Sequence, residues 1–138
     1  MFEELVKYVP RLREEGFGAT VIERKGEGTL EDPFVLPYIR YSDAVRLFLD
    51  ELYGFCASHP EFEHFRYHET LEENGLEWGM DSMSGADVSR MDAKGVIALL
   101  IGAARADRFS EGALLEFLEN GSILRWLERL KELEPGEG

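Results

Sequence analysis

Cysteine is almost missing from this 138-residue chain. Cys56 stands alone, which excludes an intrachain disulfide and fits a reducing, cytoplasmic compartment. Long apolar runs are missing too. The longest, Val96 to Ala104, falls well short of the roughly 20 residues that a membrane-spanning helix needs. The opening Met1-Phe2-Glu3-Glu4 is acidic and lacks the basic start of a secretory signal. There is no surplus of positive charge: 15 basic residues face 28 acidic ones, a formal net charge of −13. Arg11/Arg13, Arg105/Arg108 and Arg125/Arg129 are each interleaved with or flanked by acids, so no basic patch forms, and neither nucleic acid nor an anionic membrane is an expected partner. Glutamine is absent, Asn74 and Asn120 are the only asparagines, and 21 glutamates accompany 11 arginines. That bias suits a chain built for heat, although a GC-rich genome also favours arginine over lysine. Catalytic signatures are equally scarce. Asp81-Ser82-Met83-Ser84-Gly85 does not have the arrangement of a nucleophile elbow. Gly16-Phe17-Gly18 and Gly26-Glu27-Gly28 lack the continuation of a phosphate-binding loop.

What is present is the material of one folded domain over residues 1–138, with 135–138 as a frayed tail: 44% apolar residues and 12% aromatic ones exclude a disordered chain. Phe2, Leu5, Val6, Val9 and Leu12 recur at helical spacing, with Pro10 placed to kink or end the helix. Ala19 to Lys25 and Phe34 to Tyr41 read as two strands of an antiparallel hairpin, with Pro37 requiring an edge or a bulge. Ser42 is an N-cap before the stripe Val45, Phe48, Leu49, Leu52, Tyr53 and Cys56. From Ser58 to Gly85 the periodicity is lost, with at most one helical turn capped by Thr70. Ser89 and Asp92 then suggest a capping box for a helix that is apolar on every side through Val96–Ala104, the buried centre of the fold. Ser110 to Asn120 makes another helix, ended by Gly121, and Ser122 caps a last one with the stripe Ile123, Trp126, Leu127, Leu130 and Leu133. The fold class expected is α+β and predominantly helical: about five helices packed with a small antiparallel β-hairpin.

The corner Arg105-Ala106-Asp107-Arg108-Phe109-Ser110-Glu111-Gly112 concentrates charge beside the most apolar segment. As a ligand site, Arg105 and Arg108 would hold a carboxylate or phosphate at the start of the following helix, with Gly112 leaving room for close approach. As a structural clasp, Asp107 and Glu111 would neutralise both arginines, and Arg105 and Glu111 would complement the helix dipoles. The clasp accounts for more, because the four charges cancel. His59, His64 and His68 lie close to Cys56, Glu61, Glu63 and Glu69. They are the only candidates for a metal site, and a weak set: in an extended segment His64 and His68 would stand about 13 Å apart, and a surface stretch with docked aromatics is the simpler reading. No metal and no cofactor is expected.

A family resemblance rests on the same corner. Arg105-x-Asp107-Arg108-Phe109-x-Glu111-Gly112, followed by Gly121-x-Ile123-x-x-x-Leu127-x-Arg129-Leu130-Lys131, resembles the C-terminal signature of an uncharacterised prokaryotic domain-of-unknown-function family. Leu36-Pro37-Tyr38-x-x-Tyr41-Ser42 resembles that family's N-terminal half. The resemblance implies no activity, only that the tyrosines and the charged corner belong to one module. The function expected is a non-catalytic interaction or ligand-binding module, with a protein partner, a small anionic ligand or a second copy of the chain as candidate occupants and an aromatic groove near Tyr38, Tyr41 and Trp78. The alternative is a small enzyme acting on an anionic molecule, its site assembled from Tyr41, Arg105, Asp107, Arg108 and Glu111. Acidic mimicry of nucleic acid rests on net charge alone and ranks below both.

Overall fold

Helix α6 (Ala93–Ala106) runs through the middle of the molecule, and every residue from Gly95 to Ala103 on it is buried. A helix apolar on all sides can only satisfy itself by being wrapped. The computed structural model, which describes residues 1–21, 38–110 and 112–133, shows the wrapping. Helices α4 (Tyr67–Glu73), α7 (Ala113–Glu119) and α8 (Ser122–Glu132) pack directly on α6. Beyond them, α1 (Glu3–Val6) lies against α3 (Asp43–Ser58) and α8, and α2 (Tyr8–Glu15) against α3. Trp126, Phe48 and Phe117 are the largest fully buried side chains. The strongly one-sided α8 places Ile123, Trp126, Leu127 and Leu130 in the core.

The chain is predominantly helical, but a count of about five helices does not describe it. The opening helix is divided at Lys7 into α1 and α2. Pro10 explains the position of the break, since its missing N–H is the one that would have reached the carbonyl of Val6. The stretch read as irregular holds real elements: 3-10 turns at Pro60–Phe62 and His64–Arg66, then α4, then α5 (Met80–Ser84), with a third 3-10 turn at Val88–Arg90. Thr70 is a buried interior residue of α4 rather than a cap.

Strands β1 (Gly18–Val21) and β2 (Tyr38–Tyr41) pair antiparallel, with Gly18 opposite Tyr41 and Val21 opposite Tyr38. The rest of the two expected strands, their turn and Pro37 lie outside the described residues, as do Glu111 and the tail after Leu133.

The caps follow side-chain chemistry closely. Ser42 Oγ accepts the N–H of Val45 at 3.3 Å and donates to the carbonyl of Gly16 at 2.9 Å, tying α3 to the end of α2. Asp92 by itself caps α6, accepting the N–H of Gly95 at 2.9 Å. Ser89 is not its partner; it sits in the preceding 3-10 turn, bonded to Asp87. Ser122 is the first residue of α8, and the residue before it, Gly121, takes the left-handed conformation (φ 84°) that turns the chain from α7 into α8. Among the described residues no helix is long and apolar enough to cross a membrane.

The wrapped helix sets a clear expectation for stability. Leu100→Ala should lower the unfolding free energy by about 2–5 kcal/mol, as expected for a cavity in a close-packed core, whereas Leu47→Ala, at a 42% exposed position, should change it by less than about 0.5 kcal/mol. Urea midpoints of the two variants measure the contrast, and equal midpoints would contradict the placement of α6.

Candidate functional site

The charged corner is organised by one carboxylate. Asp107, just past the end of α6, accepts the N–H of Gly112 at 3.1 Å and of Leu114 at 3.0 Å through Oδ1, while its Oδ2 accepts the hydroxyl of Tyr41 at 2.6 Å. The first amides of α7, which have no partner inside their own helix, are thus capped from the previous helix. The same side chain ties in β2 across 66 positions of sequence. Gly112 adopts φ 91°, a backbone state that disfavours other residues. A Cβ there would meet no protein atom within 4 Å, so within the fold the glycine is required by the turn's conformation and not by packing.

Among the described residues neither Arg105 nor Arg108 pairs with Asp107. Arg105 instead lies over the ring of Tyr67, 5.6 Å from its centroid, with its Nε buried and without a hydrogen-bond partner. Arg108 is exposed. Glu111 falls outside the described residues. The structure therefore brings Tyr41 and Asp107 into contact, and gives Arg105 an aromatic partner that sequence spacing does not reveal.

Beside this corner opens a cleft of about 340 Å³. Its walls are Trp78, Gly79, Met80 and Met83 on one side, Ala106, Phe109, Ser110 and Gly112 along the corner, and Ala113, Glu116 and Phe117 from α7. Phe109 is 74% exposed, yet its ring meets Trp78 edge to face at 5.1 Å and 88°. Trp78 is anchored in turn: its indole N–H donates to the carbonyl of Gly102 at 2.9 Å, and His68 packs on its ring at 5.0 Å. The floor is held by a polar knot in which Ser84, Asn120 and Ser122 bond one another and Arg125 donates to the carbonyl of Ser84 at 2.7 Å. Sequence reading pointed to Trp78 as part of an aromatic groove with Tyr38 and Tyr41. Trp78 does line a groove, but its aromatic partner there is Phe109, while the Tyr41 hydroxyl turns to Asp107.

Each histidine has its own neighbour. His59 stacks on Phe55 at 4.2 Å and its Nδ1 lies 2.9 Å from the Phe55 carbonyl. His64 abuts Phe65, and His68 lies against Tyr67 and Trp78. Among the described residues no group of three or more His, Cys, Asp or Glu side chains is placed to hold a metal ion. Cys56 is fully buried. Burial pushes its thiol up to about 11, an effect that the Arg105 charge partly offsets.

The family model of DUF6508, a family of unknown function, matches residues 1–136. The chain belongs to that family. Neither a curated protein nor a solved structure matches it.

Two outcomes follow from this geometry. Tyr41→Phe keeps the ring but removes a hydrogen bond to a charged acceptor, and should cost about 1.5–3 kcal/mol of stability; Asp107→Ala, which uncaps α7 as well, should cost more. Denaturant unfolding measures both, and a Tyr41→Phe chain as stable as the parent would show that the contact carries no weight. For Cys56 the folded thiol ionises at higher pH than the unfolded one. Below pH 9 both states are protonated and the group is neutral to stability. As pH rises from about 9 towards 11 the unfolded state sheds its proton first, so stability falls. Subtracting the same pH series for Cys56→Ala isolates this loss, and a difference that stays flat across that window would contradict the burial of the thiol.

Proposed function

We propose that this member of DUF6508 is a non-catalytic ligand-binding module, and that its ligand seats an apolar group in the cleft between Trp78 and α7. The observation that carries the reading is the exposed Phe109 ring set edge to face against an anchored Trp78 over a cleft of about 340 Å³. The exposed ring offers a ligand apolar surface to cover, and the volume is within the range that takes a small molecule or one anchoring side chain. Met80 and Met83 add flexible, polarisable walls that adapt to different shapes. Ser110 and Glu116 are the polar side chains on the described lining, a set suited to orienting a bound group.

On this reading Tyr41 and Asp107 are positioning residues: they stand outside the lining and fix the start of α7, which forms one wall. Arg105 braces α6 against α4 through Tyr67, and Arg108 stands outside the lining. The charge of −13 supports a cytoplasmic chain with no nucleic acid or membrane surface as partner. The second reading, an enzyme acting on an anionic molecule at this corner, draws on the unbonded Nε of Arg105. Against it, the amides of Gly112 and Leu114 at the start of α7 already donate to the Asp107 carboxylate, and a second anion beside Asp107 would be repelled.

Titration with benzyl alcohol tests the proposal. The expected result is saturable shifts of backbone amide resonances confined to residues 78–83 and 106–117, lost in an Ala113→Phe variant whose added ring fills the cleft. Shifts scattered over the surface, or unchanged in Ala113→Phe, would overturn it.

A further inference from the structure

We infer that the cleft selects a positively charged group carried on an apolar body, such as an alkylated or aromatic ammonium. This rests on the cleft being a binding site and adds the charge of its occupant. Trp78 and Phe109 both line the cleft and meet edge to face at 88°, so an occupant lies against aromatic surface. The face of a ring carries negative electrostatic potential, and a cation set against it is attracted. Glu116 lines the same cleft and is the only charged side chain on its described lining. Among the described residues it has no ion-pair partner. Ala113 and Phe117 share the wall with it.

The nearby cations do not supply that partner. Arg125 is held by the carbonyl of Ser84, Arg105 is drawn onto Tyr67, and neither they nor the exposed Arg108 line the cleft. The carboxylate of Asp107, adjoining through Ala106, is occupied by Tyr41 and two amides. A cation entering the cleft therefore meets aromatic surface and, at its solvent-exposed margin, the Glu116 carboxylate, in a chain whose overall charge of −13 favours its approach. An anion of the same size would meet the same rings and be repelled by Glu116.

Three probes built on one benzyl or phenyl ring separate charge from shape: benzyltrimethylammonium, benzyl alcohol and benzoate, each titrated into the full chain at about 0.15 M salt, where long-range attraction is largely screened. The expected order is benzyltrimethylammonium at least tenfold tighter than benzyl alcohol, and benzoate weakest. In Glu116→Gln the ratio of cation to alcohol affinity should fall several-fold, and Phe109→Leu should weaken the cation more than the alcohol. Benzyl alcohol binding in the cleft with no preference for the cation would overturn this inference and leave the binding module standing. No binding by any probe would remove both. Benzoate binding most tightly would overturn the inference in favour of the anion reading of the corner. A cation preference that survives Glu116→Gln unchanged would also overturn it, since general attraction to an acidic protein would then account for the effect.

Discussion

The carboxylate of Asp107 is the constraint on which this half of the molecule depends. A helix as short as α7 does not nucleate by itself in water, and its first amides need an acceptor. Asp107 supplies one acceptor oxygen to the amide of Leu114 and to that of Gly112 just before the helix, and turns its other oxygen to the hydroxyl of Tyr41. One side chain thereby fixes where α6 ends, where α7 begins and how β2 lies against both. Charge makes the arrangement stronger than a neutral cap, because hydrogen bonds to an ionised acceptor are roughly twice as strong as those between neutral groups. The cleft is a consequence. With α7 pinned at its start and the chain turned by Gly112, Phe109 stands exposed at the corner with Trp78 as its neighbour.

The opposite wall is held with equal economy. The Trp78 indole reaches the carbonyl of Gly102 on α6, where a side chain would crowd it: a Cβ on Gly102 would lie 3.3 Å from the indole ring and 3.0 Å from Met83. The glycine in the buried helix is thus explained by what lies across from it. Below, the knot of Ser84, Asn120 and Ser122 fastens α5 to the turn between α7 and α8. Both walls therefore derive their position from α6 and from the helix termini around it.

Much of this was legible in the sequence wherever one element contains its own reasons. The stripe of α3 with its Ser42 cap, the all-round apolarity of α6 and the one-sided α8 are periodic signals, and each helix stands where its pattern says. The stretch from Ser58 to Gly85 was opaque because its elements are one or two turns long. Over such lengths periodicity has no room to show, and what makes them helical is packing: Tyr67, Thr70 and Leu71 are buried against α6. The site was legible in part. Sequence placed Tyr41, Asp107 and Trp78 among the residues of interest. It could not pair Tyr41 with Asp107 across 66 positions, nor Trp78 with Phe109, since those pairings are set by tertiary contacts alone.

The corner also shows why charge counting misdirects. Two arginines and two acids in eight residues suggest mutual neutralisation, yet Asp107 bonds a phenol and two amides while Arg105 covers an aromatic face. The same preference recurs along α8, where Arg125 donates to the carbonyl of Ser84 and Arg129 to that of Met91. Guanidinium groups are weakly hydrated and planar, so they can lie against rings and fork onto carbonyls at modest desolvation cost. Carboxylates are more strongly hydrated and gain most from several converging donors. An acid-rich chain can therefore use its few arginines to fasten loops to helices and leave many glutamates in solvent. Glu116 differs from those surface acids in one respect: it borders an aromatic cleft, where a carboxylate without a partner has a recognisable use.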